Sequence, residues 1–255
     1  RYGIGRVISE PALLIVAPMM NGFDLAHLPW SREAGGRLVV NGAKFDDLDM
    51  LEVIVDGMPF LLSRLSAEES RRKFADENFG PLSGDLPYPD GSAIGIGPRD
   101  IVTSARHLPE INCRLLMLGQ WIGTSLEATA AAWVPSGALV HFADYDQAVT
   151  NYLAGGPFPP DFQICFSEER KGRFITRGLA YFAGREIRLS VGADYEASDV
   201  AEQLARIIDD IVTHGKIDIP GSPRTSVKRH PLSGSDGDDR GYFDISFESQ
   251  PTITG

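Results

Sequence analysis

Residues 198–214 carry the clearest periodic pattern in the chain. Ser198 is placed to cap a helix that starts there, and Gly215 follows its last turn. The apolar side chains recur at the i, i+4, i+7, i+8 and i+11 spacing of one helical face: Val200, Leu204, Ile207, Ile208 and Ile211. The pattern predicts an amphipathic helix that buries one face against another element.

The first part of the chain is typical of β-structure. Residues 11–17 form a continuous apolar run of strand length, which predicts a buried strand. Residues 51–55 and 58–62 flank the dipeptide Asp56-Gly57, a combination that predicts a β-hairpin.

A helix and then a long loop are predicted after this hairpin. Ser66 and Glu69 fit a capping box that opens a charged helix to about residue 78. The stretch 80–98 holds four prolines and five glycines, so it is interpreted as a surface loop and an internal boundary.

Helices and strands alternate beyond the boundary. Strands are predicted at residues 111–117, 137–142, 162–166, 187–191 and 242–247, and helices at 99–107, 121–133 and 144–153. The fold class predicted is α+β, a mixed sheet with helices packed on it. The predicted organisation is a hairpin-rich part at 1–80, a loop at 81–98 and a part with alternating helices and strands at 99–255. These parts are expected to form either one compact domain or two closely packed halves.

The two cysteines point to a reducing compartment. Cys113 and Cys165 each lie inside an apolar segment, and a disulfide scaffold would need more cysteines. Buried, reduced thiols and a cytoplasmic location are therefore expected. No apolar run approaches the roughly 18–20 residues that span a bilayer, so no membrane is expected as a partner.

The acidic balance of the chain narrows the class of partner. Lys and Arg total 24 against 35 Asp and Glu, for a net charge of −11. Because binding to phosphates needs a basic surface, this balance argues against nucleic acid and favours a protein partner of basic character. The acidic stretch 236–248 is the predicted contact, through Asp236, Asp238, Asp239 and Tyr242.

Searches for catalytic and cofactor motifs give no complete match. Gly95-Ile-Gly97 begins like a dinucleotide fingerprint, but Asp100 stands where the third glycine belongs. The acidic turn at Asp236 lacks a glutamate at the twelfth position of a calcium loop. The five histidines share no metal-ligand spacing. We therefore assign no catalytic residue and expect no metal or cofactor.

Two pairs of residues are the candidate ligand-binding groups. His141 and Asp144 form a polar cluster at a predicted strand end, where Asp144 also suits a helix cap. Arg177 and Glu186 are interpreted as an ion pair, with Arg177 alternatively offering a bidentate donor to an anionic ligand. Trp133, in the Trp-Val-Pro-Ser-Gly stretch at 133–137, is expected to fill the core.

The stretch Thr176-Arg177-Gly178-Leu179, with Phe182 and Glu186-Ile187, resembles the C-terminal part of a bacterial family named domain of unknown function 4261. The upstream order of an apolar strand, a Val-Asp-Gly hairpin and an aromatic-Val-Pro-Ser-Gly turn is similar as well. The resemblance implies a bacterial, soluble α+β protein. The resemblance implies no particular activity and identifies no catalytic residue.

Three functions remain open on the sequence. The first is a non-catalytic binding protein, and its most specific form is an immunity protein that neutralises a cognate secreted toxin. The acidic balance favours this function, because toxins that attack nucleic acid are often basic. The second is an enzyme with a dispersed site around His141 and Arg177. The third is a scaffold component of a bacterial assembly.

Overall fold

The computed structural model describes residues 10–18, 24–28, 30, 38–41, 50–75, 87–192, 197–214, 225–229 and 242–247. The strands within these residues are β1 Leu13–Ala17, β2 Leu38–Asn41, β3 Met50–Val55, β4 Met58–Leu65, β5 Ser92–Pro98, β6 Ala130–Trp133, β7 Ala138–His141, β8 Cys165–Arg170, β9 Arg173–Arg177, β10 Glu186–Val191, β11 Thr225–Arg229 and β12 Tyr242–Phe247. The α-helices are α1 Ala67–Ala75, α2 Asp100–Thr103, α3 Pro109–Ser125, α4 Phe142–Leu153, α5 Pro160–Gln163, α6 Leu179–Ala183 and α7 Ala197–His214, and a short 3-10 helix covers Leu25–His27.

The strands form two sheets. The larger sheet has the order β2-β3-β4-β5-β1-β6-β7, and each neighbouring pair in it is antiparallel. The smaller sheet has the order β11-β12-β10-β9-β8, in which β10 and β12 run parallel. Helices pack on these sheets, so the predicted α+β class is confirmed.

Strand β1 lies inside the larger sheet and is covered on both faces. Successive side chains of a strand point to opposite faces. Leu13 and Ile15 belong to the main core together with α3, whereas Leu14 and Val16 belong to a smaller core to which Phe74 of α1 also contributes. The prediction of a buried strand near the start of the chain is confirmed.

Short-range signals in the first part are confirmed as well. Strands β3 and β4 form the predicted hairpin, and Asp56 and Gly57 both have positive φ, as a two-residue turn of type I′ requires. Ser66 and Glu69 form the predicted capping box: the Ser66 N–H donates to Glu69 Oε2 at 2.9 Å, and Ser66 Oγ accepts the Glu69 N–H at 3.2 Å.

The prediction of a loop at 80–98 is wrong for residues 92–98, which form β5 between β4 and β1. The glycines here permit close packing instead of a turn. A Cβ on Gly97 would lie 2.8 Å from the Glu10 carbonyl oxygen, and one on Gly95 would lie 2.7 Å from Ser63 Oγ. Ile94 and Ile96 are fully buried. The larger sheet therefore joins strands from both sides of the predicted boundary.

Two elements around residue 120 are exchanged relative to the prediction. Residues 111–117, expected as a strand, lie in α3, which has Pro109 in its first turn. Residues 121–133, expected as a helix, comprise the end of α3 and strand β6. The alanines of β6 are buried beside β1, and this packing overrides their preference for a helix.

Other boundaries differ on a smaller scale. The strand expected at 162–166 begins at Cys165, because α5 occupies residues 160–163. Helix α4 begins at Phe142 with His141 at its N-cap, which places Asp144 inside the first turn and not at the cap. The helix expected at 99–107 is shorter, covering Asp100–Thr103. The strands expected at 187–191 and 242–247 and the helix expected at 198–214 are confirmed. The helix begins at Ala197, however, so Ser198 lies in its first turn and the prediction that it caps the helix is wrong.

We expect Gly97→Ala to lower the free energy of unfolding by about 1–3 kcal/mol, because the added methyl group would press on the backbone at Glu10. Urea unfolding followed by circular dichroism measures the change. Ser92→Ala, in the same strand at a half-buried position, is the control and should shift the free energy by less than about 0.5 kcal/mol. A urea midpoint of Gly97→Ala equal to that of the unchanged protein would contradict the close approach of Gly97 to the Glu10 backbone.

Candidate functional site

The Glu186 carboxylate is held at the N-terminus of α6. Glu186 is 4% exposed, and its side chain accepts four hydrogen bonds. One comes from Thr176 Oγ1 at 2.8 Å. The other three come from the backbone N–H groups of Gly178, Leu179 and Ala180, at 2.9, 3.2 and 3.1 Å. The first N–H groups of a helix have no partner within it, so a carboxylate here satisfies them and also suits the positive end of the helix.

The turn between β9 and α6 depends on Gly178. Its φ is +97°, and a Cβ there would lie 2.6 Å from the Gln163 carbonyl oxygen and 2.7 Å from Ser136 Cβ. Both the left-handed backbone and the close approach favour glycine. The turn presents three consecutive N–H groups to one carboxylate, an arrangement that we call the Glu186 anchor.

Arg177 connects this turn to the larger sheet. Its Nε donates to the Ser136 carbonyl oxygen at 2.8 Å, across the gap between β9 and the β6–β7 turn. The sequence predicted an ion pair between Arg177 and Glu186. The structure instead gives Arg177 the hydrogen bond to Ser136, and it gives Glu186 the hydrogen bonds from Thr176 and from the backbone at the start of α6. Arg177 therefore has a structural contact at the junction of the two sheets.

Trp133 packs at the same junction. It is fully buried, and its ring is stacked on Phe182 with centroids 5.9 Å apart and meets Tyr181 edge to face at 5.2 Å. The expectation that Trp133 fills the core is confirmed. The stretches 133–137 and 176–187, which the sequence singled out separately, thus lie against each other.

Two opposing effects act on the Glu186 carboxyl group. Burial raises its pKa, and the hydrogen bonds from Thr176 and the three N–H groups, which favour the charged form, act against that rise. Cys165, paired with Arg177 in the β8–β9 register, is also buried, and burial raises the pKa of its thiol. The same cause raises the pKa of the half-buried Cys113 thiol. Neither cysteine is in a disulfide.

His141 and Asp144 lie away from Arg177. Both are exposed, where β7 passes into α4. Arg177 contacts Ser136 at the turn end of the β6–β7 hairpin, whereas His141 is at its other end. The three residue steps from Ala138 to His141 along β7 alone span roughly 10 Å. The structure does not bring the two predicted pairs together.

Most of the predicted partner-binding residues lie outside the described part of the chain: Asp236, Asp238 and Asp239. Tyr242 begins β12 and is half-buried. The Arg188 guanidinium lies 4.1 Å from its ring centroid, a cation–π contact within the smaller sheet.

A pocket that the sequence did not reveal opens beside α6. Its volume is about 650 Å³, and its walls come from the loop at 104–109, from α6, from the end of α7 and from Phe243. Four titratable side chains line it: Arg106, His107, Tyr181 and His214. Because four separate segments meet here, no local spacing in the sequence predicts the pocket.

A second feature that the sequence motifs did not reveal is an acidic helical surface. Residues 115–169 contain no Lys or Arg and six acids: Glu127, Asp144, Asp146, Asp161, Glu168 and Glu169. Glu127 and Asp144 are exposed, the first just after α3 and the second in the first turn of α4. We call the exposed end of α3 and the first part of α4, with Glu127, Asp144 and Asp146, the acidic face; the one basic residue of α3, Arg114, lies earlier in the helix and is paired with Asp56. Counting charge along the sequence would have found it.

Metal and membrane features are not found in the described part of the chain. No cluster there brings together three or more His, Cys, Asp or Glu side chains able to hold a metal ion. No helix in the same residues is long and apolar enough to cross a bilayer.

We expect Glu186→Gln to lower the free energy of unfolding by about 3 kcal/mol, because an amide NH₂ group cannot accept the buried N–H groups that the carboxylate accepts. Urea unfolding measures the loss. Glu168→Gln is the matched control: Glu168 also accepts a backbone N–H, from Gly172 at 2.8 Å, but it is exposed, so its loss should be below about 1 kcal/mol. Equal losses in the two variants would contradict the Glu186 anchor.

The raised thiol pKa values predict slow alkylation of the folded protein. A higher pKa leaves less thiolate at a given pH, and the thiolate is the reactive form. At pH 8, iodoacetamide should modify Cys113 more slowly than in the urea-unfolded chain, and should modify the more buried Cys165 more slowly still. Mass spectrometry of a time course gives both rates. Modification of Cys165 at its unfolded-state rate would contradict the burial described.

Comparison with known proteins finds no matching family model, no matching curated protein and no matching solved structure. The resemblance to domain of unknown function 4261 therefore stays a prediction.

Proposed function

We propose that this chain is a non-catalytic binding protein whose partner is a basic protein, and that its role is to inhibit a cognate secreted bacterial toxin. The observation that carries the proposal is the acidic face. It is made by a segment, residues 115–169, in which every formally charged side chain is acidic.

The acidic face is available to a partner. Glu127 and Asp144 are exposed, and in the described part of the chain neither takes part in an ion pair. Unpaired carboxylates of one sign create a surface potential that attracts an oppositely charged protein. Such steering raises the association rate and suppresses wrong partners, which suits an inhibitor that must capture a toxin quickly.

The helices that carry the acidic face are held in a fixed arrangement. The Tyr145 hydroxyl donates to the Leu116 carbonyl oxygen at 2.7 Å, from α4 to α3. Gln120 of α3 donates to Asp146 Oδ1 and to Thr150 Oγ1 of α4, each at 2.8 Å. A surface that is already ordered before binding avoids part of the entropy cost of association.

The alternative of a dispersed enzyme site would require His141 and Arg177 to reach one ligand. His141 lies at one end of the β6–β7 hairpin, and Arg177 contacts the other end. The binding proposal needs no such convergence. The scaffold alternative and the cytoplasmic location stay predictions.

The proposal predicts a toxin encoded by the reading frame immediately upstream. We expect Asp144→Lys to slow association with that toxin about tenfold at low salt, because it reverses an exposed charge of the acidic face. Stopped-flow measurements at about 50 and 300 mM NaCl give the association rates, and the difference between the variant and the unchanged protein should shrink at the higher salt.

Glu68→Lys is the matched control for this experiment. Glu68 is an exposed acid in the first turn of α1, as Asp144 is in the first turn of α4. Helix α1 contacts β4 and β5 and contributes to the smaller core, on the other face of the larger sheet from α3. Association should change less than twofold in this variant. No binding by neighbouring gene products, or equal slowing in both variants, would contradict the proposal.

A further inference from the structure

The pocket beside α6, which we call the α6 pocket, has the size of a small-molecule site. Its volume of about 650 Å³ lies within the roughly 300–1,000 Å³ range of pockets that bind small organic ligands. It is built by the loop at 104–109, by residues 180–183 of α6 and Gly184 after it, by residues 211–214 of α7 and by Phe243 of β12.

The charge of the α6 pocket is opposite to that of the chain. The basic side chains that line it are Arg106, His107 and His214, and no Asp or Glu occurs among the described residues that line it. Two carboxylates of α7 contact lining residues from outside the pocket: Asp209 Oδ1 lies 3.5 Å from Thr213 Oγ1, and Asp210 Oδ1 lies 3.6 Å from His214 Nδ1. In a protein with net charge −11, a concave site with this lining selects an anion.

The remaining walls are apolar and partly aromatic. Tyr181, Phe182 and Phe243 supply rings, and Ile211 and Val212 supply aliphatic side chains. Aromatic and aliphatic walls with a few polar groups are typical of sites that bury the flat body of an organic ligand.

Arg106 is positioned to bind the anionic group. Its guanidinium lies 4.9 Å from the centroid of the Tyr181 ring, a contact that orients the planar donor group before a ligand arrives. Burial raises the pKa of the Tyr181 phenol, so this hydroxyl stays protonated and can donate a hydrogen bond. A guanidinium binds a carboxylate through two parallel hydrogen bonds.

We propose that the α6 pocket binds a small aromatic carboxylate, with the carboxylate on Arg106 and the ring against the Tyr181, Phe182 and Phe243 walls. This site is separate from the acidic face and uses different residues. Its occupancy therefore does not depend on whether the chain binds a basic protein.

The probe that tests the proposal is 2-naphthoate, with 2-naphthamide as its uncharged counterpart of the same ring system. Isothermal titration calorimetry on the full chain should give naphthoate an affinity at least tenfold higher than that of naphthamide, because the ionic hydrogen bonds to Arg106 require the charge. This comparison uses the unchanged protein, so it does not depend on the folding of any variant.

Arg106→Gln should weaken naphthoate binding about tenfold or more and leave naphthamide binding nearly unchanged. Arg170→Gln, at an exposed position at the end of β8, is the matched control and should alter neither. Thr213→Trp, which fills the α6 pocket from an exposed position, should abolish binding of both probes. Undetectable naphthoate binding at millimolar concentration, equal affinity for the two probes, or unchanged binding by Arg106→Gln would overturn the proposal.

Discussion

The arrangement of the candidate site depends on one buried carboxylate. Glu186 accepts the hydroxyl proton of Thr176 and three backbone N–H groups at the start of α6. The Thr176 hydroxyl also accepts the Ile187 N–H at 2.7 Å, so the Thr176 side chain connects β9 to β10. A five-residue helix is too short to be stable alone. The carboxylate supplies the N-terminal partners that α6 lacks and so determines where this helix lies.

The position of α6 in turn determines two other features. Its inner side places Phe182 against Trp133, so the aromatic packing between the two sheets follows from the location of the helix. Its Tyr181 also lines the α6 pocket, under the guanidinium of Arg106. Through α6, the buried contacts of Glu186 are therefore connected to the α6 pocket, which contains Arg106. The acidic face is formed by other helices and carries the opposite charge.

Sequence reasoning succeeded where the signal was local. The Asp56-Gly57 turn, the capping box at Ser66 and the apolar stripe of α7 each lie within one element, and each prediction was confirmed. It failed where tertiary packing decides. Residues 92–98 look like a loop because of their glycines, yet those glycines let β5 approach Glu10 and Ser63 closely. The same limit applies to the site: Glu186 was singled out, but three of its four hydrogen-bond partners are backbone N–H groups, which no side-chain pattern displays. The α6 pocket brings together four segments, so it had no linear signal.

Amide hydrogen exchange at the start of α6 tests the Glu186 anchor most directly. The N–H groups of Gly178 and Ala180 are bonded to a buried carboxylate, so they open only when the surrounding core opens. Their protection should therefore equal that of the Leu189 N–H in β10 and should fall in Glu186→Gln. Exchange of Gly178 and Ala180 at the rates of an exposed turn in the unchanged protein would contradict the central role of this carboxylate.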